Sequence, residues 1–112
     1  MDIELDELIR RRGELTLLDV RTATEYSGES GYPCDPRQGH IPGARHLELS
    51  ELFDRTPEQI QELVRRPAGS EIVTYCHSGS RSGLAAELLR AAGYEARNYA
   101  GSWHEWSRQS ES

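Results

Sequence analysis

The sequence predicts an α/β domain built on a parallel sheet, and three observations carry that prediction. Two apolar runs, residues 15–20 (LTLLDV) and 72–75 (IVTY), lack the polar alternation of a half-exposed strand and are too short for buried helices. Segments with helical apolar spacing alternate with these runs, the pattern of strands joined by crossover helices. Polar clusters follow the runs directly, Asp19-Val20-Arg21 after the first and CHSGSRS (76–82) after the second. In parallel sheets such carboxyl ends are where sites form.

Taken in chain order, Leu5, Leu8 and Ile9 repeat with helical spacing behind Asp6, and Gly13 ends that helix. The Arg10-Arg11-Arg12 run closes it and complements the helix dipole, so it is not read as a basic patch. A buried strand over 15–20 and a short helix over 22–27 follow. Residues 27–39 (SGESGYPCDPRQG) form the longest irregular stretch. GHIPGA (39–44) is a turn leading into a short strand at 45–47. Pro57 opens a helix to about residue 66 with Ile60, Leu63 and Val64 inward. After the strand at 71–75 and its loop, Leu84, Ala85, Leu88, Leu89 and Ala92 make one helical face, closed by Gly93. A last strand over 94–99 leads through Gly101-Ser102 to a short helix, which Trp103 and Trp106 anchor in the core.

The 112 residues are read as one domain, 1–112, with 36% apolar and 29% charged residues fitting a modest single core. A net charge of −6 excludes nucleic acid and anionic membrane as main partners, because both need a basic face. The acidic start MDIELDELI and the absence of a long apolar stretch predict a cytoplasmic protein. Only Cys34 and Cys76 occur, so there is no disulfide framework. The histidines at 40, 46, 77 and 104 are scattered, no C-x-x-C is present, and neither a metal nor a cofactor is expected.

Cys76 is the candidate nucleophile. A strand entering a glycine-containing loop and then a helix aims backbone N–H groups at one point. A thiol there should ionise below the free value of about 8.5. His77, Ser78, Gly79, Ser80 and Ser82 supply the cradle, and Arg81 adds a planar fork of donors suited to an anion. Asp19 and Arg21 are read as supports, Asp19 bonding the loop and Arg21 pairing with Glu25. Cys34 is either an inert loop thiol or a relay partner of Cys76.

DVR-x-x-x-EY (19–26), GHIPGA (39–44), YC-x-x-G-x-RS (75–82) and GSW-x-EW (101–106) together resemble the rhodanese sulfurtransferases. The last motif is similar to the catalytic half of two-domain thiosulfate sulfurtransferases. The resemblance implies a five-stranded parallel sheet, order 1-5-4-2-3, with helices on both faces. It implies that Cys76 cycles between thiolate and persulfide, taking sulfur from a small anionic donor such as thiosulfate and passing it to cyanide or a thiol. A sulfur carrier that exchanges persulfide with a protein donor or acceptor is the alternative. Cysteine phosphatases use C-x-x-x-x-x-R, one residue longer than the spacing from Cys76 to Arg81; that chemistry and arsenate reduction are disfavoured.

Overall fold

A computed structural model describes residues 2–109. Their elements run α1 (Leu5–Arg11), β1 (Thr16–Asp19), α2 (Ala23–Ser27), β2 (Arg45–His46), α3 (Pro57–Val64), β3 (Glu71–Tyr75), α4 (Ser80–Ala91), β4 (Glu95–Asn98) and α5 (Ser102–Trp106). Short 3-10 turns at Arg12–Glu14 and Leu49–Leu52 complete the set. All strand pairs are parallel and the order is β2-β1-β3-β4.

The sheet therefore has four strands, which corrects the five that the family resemblance implies. Where a first strand would lie, Asp2 makes a single parallel bridge to Asn98, with Ile3 N–H donating to Asn98 C=O at 3.1 Å. The chain enters α1 at Leu5, only two residues further on, and among the described residues the pairing is a single bridge rather than a strand.

The central strands β1 and β3 alternate their side chains between two apolar layers. Leu18 and Ile72 pack with Ile60 and Val64 of α3 and with Ala85, Ala86 and Leu89 of α4. Leu17, Val73 and Tyr75 pack on the opposite face with Leu8 of α1 and Trp103 and Trp106 of α5. Helices thus cover both faces. Fully burying one of these leucines contributes about 1.5–3 kcal/mol. Two expected core positions turn outward instead: Ile9 is 51% and Leu84 40% exposed, each at the edge of its helix's apolar face. Among the described residues no helix is long and apolar enough to cross a membrane.

Two helix starts follow from local chemistry. Thr22 and Glu25 form a reciprocal capping box on α2, and Thr56 with Gln59 does the same on α3, where Pro57 holds the first helical position. Arg65 takes the left-handed conformation (φ 60°) and stops α3 just short of the expected residue 66.

Candidate active site

The strand register brings the polar strand ends to one rim. Asp19 of β1 lies beside Tyr75 of β3, and Asn98 of β4 beside Thr74. Cys76, the first residue past β3, is held by its backbone. Its N–H donates to Ser102 Oγ at 3.1 Å, and its C=O accepts from Trp103 N at 2.9 Å. Ser102 itself sits at φ 55°, a conformation that costs a non-glycine residue of order 1 kcal/mol, and its hydroxyl donates to Tyr99 C=O at 2.8 Å. Thr74 Oγ1 donates to Ser82 C=O at 2.8 Å, tying β3 to the first turn of α4.

Gly79 lets the chain turn back over the sulfur. Its φ is 102°, and a Cβ there would stand 2.7 Å from Ala100 O, so both conformation and space demand glycine. The turn delivers three donors to Cys76 Sγ: Gly79 N at 3.1 Å, Ser82 N at 3.4 Å and Ser82 Oγ at 3.3 Å. Burial, with only 1% of the residue exposed, pushes the thiol's pKa up. The Ser82 hydroxyl and the Ser82, Gly79 and Ser78 N–H groups outweigh it, and the net direction is down. Ser82 Oγ also lies 2.6 Å from Asn98 Oδ1, while Asn98 Nδ2 donates to Gly79 C=O at 3.1 Å. One hydroxyl proton therefore serves two acceptors, the sulfur and the amide oxygen.

Arg81 does not stand free. Its guanidinium donates both arms to Glu25, at 2.9 and 3.1 Å. Burial alone would raise the Glu25 carboxyl; the Arg81 bonds, with the Thr22 N–H, bring it down to about 2. This corrects the expected pairing of Arg21 with Glu25. Arg21 bonds Asp19 instead, through Nε at 3.0 Å and the terminal nitrogen at 2.7 Å, in a pair that is fully buried. Arg21 also donates to Gly39 C=O, in the GHIPGA turn, and its guanidinium lies over the rings of Tyr75 and Trp103. The hydrogen bonds of Asp19 and Arg21 thus brace the strand end and the GHIPGA turn rather than the cysteine loop.

The His77 ring turns to one wall. It stacks on Tyr32 at 3.6 Å and approaches Asp35 Oδ2 at 3.0 Å. Ser78 and Ser80 are exposed at the loop's outer edge. Beside them a hollow of about 440 Å³ opens between Ser78, Gly101, His104 and Arg108. Cys34 lies exposed with its thiol free.

The structure thus brings Cys76, Gly79 and Ser82 into direct contact and lines the loop with Ser78 and Ser80. Asn98 and Asp35 were not expected at the site, Glu25 was expected only as a partner of Arg21, and Ser102 only on the same rim of the sheet as Cys76. Signals existed for three of them: Glu25 belongs to the DVR-x-x-x-EY motif, and Asn98 and Ser102 are polar residues at or just past the end of the last strand.

The Rhodanese-like domain family matches residues 3–109, and the chain belongs to that family. It is 36% identical to a thiosulfate sulfurtransferase of Azotobacter vinelandii, over 90% of this chain and 41% of that protein. It is 35% identical to the sulfur carrier protein TtuD of Thermus thermophilus, over 94% of this chain and 43% of the relative. The chain thus spans about two fifths of the length of these curated relatives. The structure of the human single-domain sulfurtransferase TSTD1 superposes with a TM-score of 0.75 at 32% identity, covering 97% of each chain.

Proposed function

We propose that the protein is a sulfurtransferase of the thiosulfate type, carrying sulfane sulfur on Cys76. The observation that supports this most is the convergence of three donors on one buried sulfur whose pKa is lowered. In the donor step the Cys76 thiolate attacks the outer sulfur of thiosulfate. The S–S bond of the donor breaks, and sulfite leaves with the electron pair. In the acceptor step cyanide or a thiolate attacks the terminal sulfur of the persulfide, and Cys76 departs as thiolate. The same sulfur is thus nucleophile first and leaving group second. A stabilised thiolate favours the second role directly, since leaving ability rises as pKa falls. No proton has to be moved at the cysteine, so the cradle of N–H donors is sufficient machinery.

In this proposal Ser78, Gly79, Ser80 and Ser82 surround the travelling sulfur, and Arg81 and His77 face the donor. Arg81 is already neutralised by Glu25. That specific contact favours a second reading, a carrier loaded from a protein persulfide that brings no free dianion. Both readings use Cys76, and the relatives' names include both activities. Two free thiols fit the reducing cytoplasm as the place of action.

Intact mass spectrometry after thiosulfate treatment tests the proposal. Wild type should gain one sulfur atom that cyanide removes, and Cys76→Ser should gain none while keeping its circular dichroism spectrum. Sulfur uptake by Cys76→Ser would sink the assignment. Turnover of thiosulfate and cyanide by the purified chain separates the enzyme from the carrier.

A further inference from the structure

Beside the cysteine loop the fold assembles a second group of side chains, of which only His77 also enters the sulfur-transfer proposal. Cys34, Asp35 and His77 bring a thiol sulfur, a carboxylate oxygen and an imidazole nitrogen within 4.8 Å of one another. The two neighbours in sequence converge because Asp35 N–H donates to Tyr32 C=O at 3.0 Å, a tight turn that leaves Cys34 Sγ 4.0 Å from Asp35 Oδ1. His77 arrives from the other side, on the loop after β3. Its ring is fixed by the stacked Tyr32.

Within this group two buried atoms lack what they need. Asp35 Oδ2 and His77 Nε2 stand 3.0 Å apart, with the Asp35 side chain wholly enclosed. Their contact is an ion pair in distance only: no well-directed hydrogen bond joins them, and among the described residues neither atom has another hydrogen-bond partner. A buried polar atom left in that state costs about 1–3 kcal/mol. Two such atoms facing one point suit a shared cation. Tetrahedral bonds of the lengths zinc makes to nitrogen, oxygen and sulfur put neighbouring ligand atoms roughly 3.3–3.6 Å apart. Cys34 Sγ stands within 4.8 Å of the other two ligand atoms and, being exposed, has room to turn toward them.

The surroundings are those of a ligand set. Arg108 donates to Asp35 Oδ1 at 2.9 Å and to Cys34 C=O at 3.1 Å, which fixes the carboxylate and directs Oδ2 inward. His104 Nδ1 lies 3.8 Å from Asp35 Oδ1, and Cys34 on the exposed side leaves the group open to solvent. We infer that Cys34 Sγ, Asp35 Oδ2 and His77 Nε2 form a zinc site whose fourth position is open. On binding, the Cys34 thiol gives its proton to solvent and the metal–sulfur bond replaces a metal–water bond. Thiolate and carboxylate then face the dication, with the Arg108 guanidinium beside Asp35 leaving the group with one net positive charge. A thiol and an imidazole select zinc over magnesium or calcium. The expectation of no metal rested on scattered histidines, and the fold removes that separation.

The test is titration of the full-length, phosphine-reduced chain with cobalt(II), a spectroscopic stand-in for zinc. Wild type should show a thiolate-to-cobalt charge-transfer band saturating at one equivalent and displaced by zinc. Cys76→Ser should keep the band, and Cys34→Ser should lose it. Asp35→Asn and His77→Gln should weaken binding by more than the roughly 10–100-fold that loss of an outer-shell partner costs. No band in wild type overturns the inference, and so does a band that survives Cys34→Ser. The site includes no atom of Cys76, so either result leaves the sulfur-transfer proposal to stand or fall on its own mass measurement.

Discussion

Replacing Ser82 by alanine isolates one side-chain hydrogen bond to the sulfur. The hydroxyl lies 3.3 Å from Cys76 Sγ, and the Ser82 N–H at 3.4 Å and Gly79 N–H at 3.1 Å stay in place when it is removed. A hydrogen bond to a charged group contributes about 1.5–3 kcal/mol. Here the proton is divided with Asn98 Oδ1, which at 2.6 Å is the nearer acceptor. The loss should therefore fall just below that range, at about 1.4 kcal/mol, a tenfold lower thiolate population. The assay is the pH profile of Cys76 alkylation by iodoacetamide in a Cys34→Ser background, where only one thiol reacts.

Its inflection should move to higher pH, and the rate at neutral pH should fall about three- to fourfold, the tenfold smaller thiolate population being partly offset by the higher reactivity of a more basic thiolate. Above the inflection the sign reverses. A more basic thiolate is a better nucleophile, with a Brønsted slope near ~0.4–0.5, so the alkaline plateau should rise about two- to threefold. An unmoved inflection refutes the electrostatic role of Ser82. A plateau that falls together with the neutral rate refutes it too, because the serine would then be fixing geometry rather than charge.

Other expectations follow from neighbouring contacts. Arg81→Thr should lower kcat/KM for thiosulfate by about 1–3 kcal/mol of transition-state stabilisation while leaving cyanide discharge of the preloaded persulfide unchanged; equal loss in both half-reactions would count against an anion-binding role. Glu25→Gln should release the Arg81 fork and lower the thiosulfate KM, and steady-state kinetics that show a higher KM would contradict this. The same variant should cost stability at neutral pH, by about 1–2 kcal/mol given that Arg81 is one-third exposed. The Glu25 pKa is depressed on folding, so its contribution is present above the ordinary 4.5 and is lost as pH falls toward about 2. Wild type and variant should therefore converge in denaturant midpoint at the acid end. Gly79→Ala should destabilise by about 1–3 kcal/mol from its forced conformation alone, and should slow Cys76 alkylation at neutral pH as the donors shift. Cys34→Ser should keep thiosulfate:cyanide turnover within about a factor of two, because cyanide takes sulfur directly from Cys76.

What the sequence revealed, and what it hid, divides along the range of the interactions. Strand β3 and its loop were readable because a buried central strand must be apolar throughout, so the break at Cys76-His77-Ser78 marks its end. The Cys76 cradle was readable because it is local: Gly79 and Ser82 lie three and six residues from the sulfur they serve. Glu25 was expected to pair with Arg21, its neighbour in sequence, and the structure pairs it elsewhere. Arg21 precedes the α2 cap at Thr22 and is not on that helix, so its side chain turns back to Asp19. The actual partner, Arg81, is 56 positions away. The fifth strand failed for a simpler reason. It came from the family resemblance rather than from any run of apolar residues, and among the described residues only a single bridge at Asp2 precedes α1. Likewise no spacing rule joins Asp35 to His77; only the crossing of two loops does.

These distances in sequence match a division of labour in the site. The groups that stabilise the sulfur are mostly backbone N–H dipoles, fixed by the turn at Gly79 and by the clamp of Ser102 and Trp103 on Cys76. They carry no net charge and cannot be compensated by a neighbour, so thiolate stabilisation survives whatever the donor is. The one full positive charge at the loop, Arg81, is by contrast tied to Glu25 from a separate helix, through two bonds at 2.9 and 3.1 Å. A dianionic donor must compete with that carboxylate for the fork, whereas a neutral or protein-borne persulfide need not. In the proposed activity, sulfur holding would be built into the βα turn itself, and donor choice would be left to an exchangeable ion pair. On this account loop substitutions at Gly79 or Ser82 should slow every donor alike, while substitutions at Glu25 or Arg81 should change which donor is preferred.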